Sequence, residues 1–170
     1  MIATILPMLL VGASVSVAAT AALDAQVAEI FRPYAQDIDD KASWDYPVWS
    51  AEVTALIAHW QRVVPNDEPD AMNDGDWLCQ CQDWNAAGFK TTILSHEPLP
   101  GGDMQVEVKI DLGFDEVSDV RDARMIFKNE GGAWKLDDIF AKDAYPRGLK
   151  QALRETIAED EALLRKSKRP

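Results

Sequence analysis

The stretch "MQVEVKIDL", residues 104–112, decides the fold class. Val106, Val108, Ile110 and Leu112 alternate with Glu107, Lys109 and Asp111, and a period of two is that of a strand with one buried and one wet face. Three neighbouring runs read the same way: "FKTTILSHE" from Phe89, "VRDARMIFKN" from Val120 and "AWKLDDIF" from Ala133. Between them stand only turn residues, in "PLPGGD" at 98–103, "DEVSD" at 115–119 and "NEGG" at 129–132. Links this short join antiparallel neighbours, so the second half of the chain is expected to form a four-stranded meander.

The flanking segments change period. In "LDAQVAEIFRPYAQ", Val27, Ile30, Phe31 and Tyr34 recur at helical spacing, with Pro33 disturbing the end of a helix expected over Asp24–Gln36. "PVWSAEVTALIAHWQRVV" places Pro47 in a first-turn position and aligns Trp49, Val53, Leu56, Ile57 and Trp60. A last helix is expected from Pro146 to about Lys166, with Leu149, Leu153 and Ile157 on one stripe. Helices followed by an antiparallel sheet define the α+β class, here N-terminal helices packed on a curved meander, a half-cone, plus a C-terminal helix.

The first 23 residues carry no charged side chain and pass from large to small apolar residues, the layout of an export signal. Small-x-small triplets in "VAATAALDAQ" put cleavage between Ala19 and Ala25. The remainder, 24–170, is sized for one domain. It is expected in the periplasm or outside the cell, with no stable membrane anchor once the signal is cut. Hydrophobic content of 47% supplies a core. Charge is uneven: residues 24–119 hold 5 basic and 20 acidic side chains, residues 120–170 hold 12 and 9. Most of such a surface repels phosphate backbones, which argues against nucleic acid as a partner.

The only two cysteines lie in "DGDWLCQCQDW", residues 74–84. On an extended strand Cys79 and Cys81 would be about 6.5–7 Å apart on one face, beyond disulfide reach, so a bridge requires a bend. A local bridge, a pair of structural thiols and a redox role all remain open. Zinc would need His59 and His96 to join the cysteines, and both histidines read as packing or edge residues. A calcium loop started at Asp70 would place Met72 third and Cys81 twelfth, where oxygen donors are required. No metal or other cofactor is therefore expected.

Together with "FRPYAQ" and "GGAWKLDDIF", the cysteine block resembles an uncharacterised family of exported bacterial proteins, domain-of-unknown-function family 3828. That resemblance implies a nuclear-transport-factor-2-like, cystatin-like half-cone over nearly the whole mature chain. It supplies no catalytic residues, and the cysteine pair lies outside its pattern.

Carboxylates that could serve a pocket are Asp37, Asp39, Asp40, Asp45, Asp137 and Asp138. Asp138 shares strand parity with Trp134 and Leu136 and is the candidate catalytic acid. Trp44, Tyr46, Trp49, Trp77 and Trp84 are candidate binding aromatics, with "WDYPVW" either an exposed stacking cluster or a plug for the open end of the cone. The sequence favours a module that binds a small ligand or an envelope protein over an enzyme. The alternatives are a cofactor-free isomerase or dehydratase, and a thiol redox or chaperone accessory. A toxin-neutralising role fits the binding class, and a dimer through the sheet face is compatible with it.

Overall fold

A computed structural model describes residues 17–38, 41–64, 70, 72–114 and 119–167. Asp39 and Asp40, most of the leader and the middle of the acidic connection lie outside them. The elements run α1 (Val17–Ala35), α2 (Ala51–Val63), β1 (Lys90–Pro98), β2 (Met104–Asp111), β3 (Val120–Glu130), β4 (Ala133–Phe140) and α3 (Leu149–Ser167). The sheet is an antiparallel meander in sequential order, so the α+β layout expected from the sequence is the one observed. No helix among the described residues is long and apolar enough to cross a membrane.

Alternation in β2 sends Met104, Val106, Val108 and Ile110 to one face, where they are at most 2% exposed. Register extends that face to Met125 and Phe127 on β3 and to Leu136 and Ile139 on β4. Against it lie Leu23, Val27, Ile30 and Phe31 of α1, Val53, Ile57 and Trp60 of α2, and Leu149, Leu153 and Ile157 of α3, all in one buried cluster. The other face exposes Glu107, Lys109, Asp122 and Arg124. There the register sets Glu107 opposite Arg124 and Lys109 opposite Asp122. Opposite charges across a strand pair favour that register.

Two irregularities matter. In β1 the register slips between Ile93 and Ser95, leaving Leu94 out of the ladder and 53% exposed. In β4, Leu136 pairs with Phe127 and Asp138 with Ile126, so Asp137 is an inserted residue. That bulge reverses the parity beyond it, and Ile139, not Asp138, points into the core beside Met125.

The second helix also starts later than expected, at Ala51. Ser50 is its N-cap, its Oγ accepting from the Val53 amide at 3.2 Å. Residues 48–50 instead run along the edge of β4: Leu136 donates to the Val48 carbonyl and Ser50 to the Leu136 carbonyl, both at 2.8 Å. "WDYPVW" thus covers a sheet edge, with Trp49 buried.

One polar cluster ties these elements together. Asp137, 3% exposed, accepts from Ser50 Oγ at 2.7 Å and pairs with Lys150 Nζ at 2.6 Å and Lys128 Nζ at 3.1 Å. Glu52 pairs with the same two lysines and with Arg154 at 2.7 Å. The result is a clasp joining α2, β3, β4 and α3. Burial alone would raise the Asp137 pKa, but the bonds from Lys150, Ser50 and Lys128 outweigh it and hold the carboxyl below the usual range.

The unfolded chain therefore takes up the Asp137 proton first as pH falls. The stabilisation is complete above the ordinary aspartate range and drains away as pH drops through the lower folded value. Asp137→Asn should flatten the acid limb of a stability-versus-pH curve. At neutral pH it should cost about 3 kcal/mol, the typical result of stripping one partner from a buried ion pair, read by urea denaturation. Gly113, at φ +85, faces the Asn85 carbonyl and the Phe89 amide so closely that a Cβ would overlap both. Gly113→Ala should destabilise by several times the ~1 kcal/mol of an unfavourable φ alone, and a melting midpoint within 2–4 °C of the parent, about 1 kcal/mol at this size, would refute that packing.

Candidate functional site

The block 74–84 folds into a closed loop built on Asp76. Its Oδ1 accepts from the Leu78 and Cys79 amides, both at 2.8 Å, and from the Tyr34 hydroxyl at 2.7 Å. A short acidic side chain that accepts from amides two and three residues on is how a helix N-cap or Asx turn is held. The Asp76 amide donates to the Cys81 carbonyl at 2.8 Å, closing the loop on itself. Burial pushes the Asp76 carboxyl up, against the opposing pull of the Cys79 amide, Tyr34, the Leu78 amide and Ser43.

Cys79 and Cys81 form a disulfide, with Cα atoms 5.2 Å apart. The required bend is at Gln80, whose φ of +56 puts a non-glycine residue in the left-handed region at a cost of about 1 kcal/mol or more. Closing so small a ring removes little chain entropy, about 1.5 kcal/mol. The bridge therefore shapes the turn more than it stabilises the fold.

Trp77 anchors the loop. It is 1% exposed, donates Nε1 to the Met72 carbonyl at 2.7 Å, and its amide donates to Ser43 Oγ at 3.0 Å. Its ring lies 5.2 Å from Trp44, 5.4 Å from Trp60 and 6.0 Å from Trp49, centroid to centroid. Asp70, first in the calcium alignment, serves the same assembly, accepting from the Met72 amide at 2.6 Å and Trp60 Nε1 at 3.2 Å.

Two open clefts flank the loop. One, of about 410 Å³, lies between it, Arg121 and the Ala144–Tyr145 turn. The other, of about 320 Å³, lies between it, the Lys41–Trp44 segment and Trp84. Asp74, Gly75, Asp76, Cys81 and Gln82 line both. In the first cleft the Tyr145 phenol is pushed up by burial and by the charge of Asp76, so it stays protonated as a donor.

The five candidate binding aromatics separate accordingly. Trp49 and Trp77 are inside the core. Trp44, Tyr46 and Trp84 are half-buried: Trp84 lines the second cleft, Tyr46 lines a 470 Å³ hollow against α2, and Trp44 lines both. Asp138 does not share the inward parity expected of it, because of the bulge at Asp137. Its Oδ1 accepts from the Ile139 amide at 2.9 Å and the Lys150 amide at 3.1 Å, so it caps α3 across the glycine turn at Gly148. Asp37 and Asp45 are exposed. His96 meets Asp24 at 2.6 Å and His59 meets Glu161 at 3.0 Å, each tethering a helix to another element.

The residues missed in the sequence are Asp76, its partner Tyr34, and Tyr145 in the same cleft. The available signal was an Asp two and three residues ahead of "LC", the spacing of a side-chain cap.

The chain is similar to solved structures. The crystal structure of the type VI native effector-immunity complex Tae3-Tai3 from Ralstonia pickettii contains a chain similar over 72% of this chain and 96% of that one, at 19% identity and a TM-score of 0.48. That level of likeness fixes neither partner nor activity. No protein-family model and no curated protein matches the sequence.

Cys79 is wholly buried and Cys81 is 8% exposed. Cys81 offers an attacking thiolate the little access there is, and the leaving Cys79 thiolate would form in a wholly buried residue whose amide is bonded to the Asp76 carboxylate. Burial and a neighbouring negative charge both disfavour that anion. In native buffer with millimolar glutathione, iodoacetamide should label neither cysteine, while denaturant plus reductant exposes both. Trapping a glutathione adduct on the folded protein would reverse this reading.

Proposed function

We propose that this protein is an exported protein-binding module whose recognition element is the bridged loop 74–84 with its two clefts, and that its partner presents a cationic segment. The observation that carries the proposal is a loop whose middle is fixed in the core while Asp74, Gln82 and Asp83 stand exposed on it. A disulfide, the Asp76 acceptor hub and the buried Trp77 hold the ridge in one shape before any partner arrives. Preorganisation removes ordering costs from association and so raises affinity without new contacts.

Charge supports the sign of the partner. Asp74 and Asp83 are exposed on the loop, with Arg121 the cation of the first cleft and Lys41 that of the second. The wider 24–119 region is strongly acidic. Such a field accelerates encounter with a basic surface and suppresses acidic competitors. Kinship with domain-of-unknown-function family 3828, a periplasmic location and a toxin-neutralising role belong to the same proposal.

The test is a double charge reversal, Asp74→Lys with Asp83→Lys. Both side chains are exposed, so circular dichroism and melting should match the parent. Affinity purification from periplasm, quantified by mass spectrometry, should recover a basic protein with the parent and at least tenfold less with the variant, and parent recovery should fall with added salt. Equal recovery by both chains would remove the loop from the interface.

A further inference from the structure

We infer that the leader is removed by hydrolysis of the Ala21–Ala22 peptide bond, so that the mature chain begins at Ala22. This inference rests on the export reading above. Residues 12–26 contain a single strict Ala-x-Ala triplet, Ala19-Thr20-Ala21, and the bond after it is the one a leader peptidase favours.

Burial bounds the cut on its C-terminal side. Among residues 17–22 no side chain is buried, and Val17 is 88% exposed, whereas Leu23 is 0% exposed within the main core. The peptidase needs an extended substrate, and unwinding this first stretch of α1 uncovers no core residue. Cleavage after Ala25 would instead remove Leu23 from the core and take Asp24 from His96. It would also place Leu23 at the third position before the cut, where a small residue is required.

The neighbouring bonds are less favourable for other reasons. Cleavage after Ala22 would leave Leu23 as the terminal residue and bring its new ammonium group to the edge of the core. Cleavage after Ala19 uses Val17, not alanine, at the third position. With Ala22 first, Asp24 falls in the opening turn of the helix, where a carboxylate offsets both the new ammonium and the positive end of the helix dipole. The step is a hydrolysis: water supplies hydroxyl to the Ala21 carbonyl carbon and a proton to the Ala22 nitrogen.

The full chain, expressed with its own leader in a Gram-negative host, should be recovered from the periplasm with an intact mass and N-terminal sequence starting at Ala22. Ala22→Pro should block cleavage and leave uncut chain with the membranes. A mature start at Thr20 or Leu23 would overturn the assigned bond, and a start at Gln26 would overturn the burial argument too, both leaving export intact. Uncut parent chain in the cytoplasm would overturn this inference and the export reading together. As a check on Leu23, a leaderless chain from Gln26 should melt about 5–10 °C below one from Ala22, and equal midpoints would show that Leu23 sets no boundary.

Discussion

The loop that carries the proposed function keeps its shape because one indole, Trp77, is buried against three others. Trp44 arrives from the short turn at Ser43–Asp45, Trp49 from the strand-like segment along β4, and Trp60 from α2. Aromatic pairs at these separations add about 0.5–1.5 kcal/mol each beyond the area they bury. Beside that anchor, the Asp76 hub fastens the loop to α1 through the Tyr34 hydroxyl, and Leu78 is buried in the same core. With these, the loop inherits the rigidity of the core.

A second, polar fastening operates at the opposite end of the same helix. Trp60 holds the C-terminal part of α2 to the aromatic cluster, while Ser50 and Glu52 hold its N-terminal part to Asp137, Lys128 and Lys150. The two attachments differ in kind. The first is chiefly aromatic packing, with the Asp70 carboxylate accepting from Trp60, whereas the clasp depends on the ionised form of Asp137.

The sheet was readable because its signal is local. Alternation in "MQVEVKIDL" and the glycine-rich turns specify strand, face and connection within a few residues. What was not readable depends on contacts distant in sequence. The Asp137 bulge has no signature in "AWKLDDIF"; the inserted aspartate is matched by a serine 87 residues earlier and a lysine 13 later. That mismatch carried Asp138 from the expected inward position to a helix cap. The Asp76 hub was hidden for the same reason, since Tyr34 lies 42 residues away. The start of α2 was misplaced because Pro47 carried a helix-opening cue while Ser50, three residues on, held the cap.

The slip at Leu94 has a consequence for the open side of the sheet. Among the described residues β1 is an edge strand paired only with β2, and an open edge offers its amides and carbonyls to any strand that drifts by. This one begins at Lys90, loses its ladder at Leu94 and ends at Pro98, which has no amide to donate. A charge, an irregular register and a missing donor thus fall within nine residues. These are the devices by which sheets blunt an edge against pairing with a neighbour.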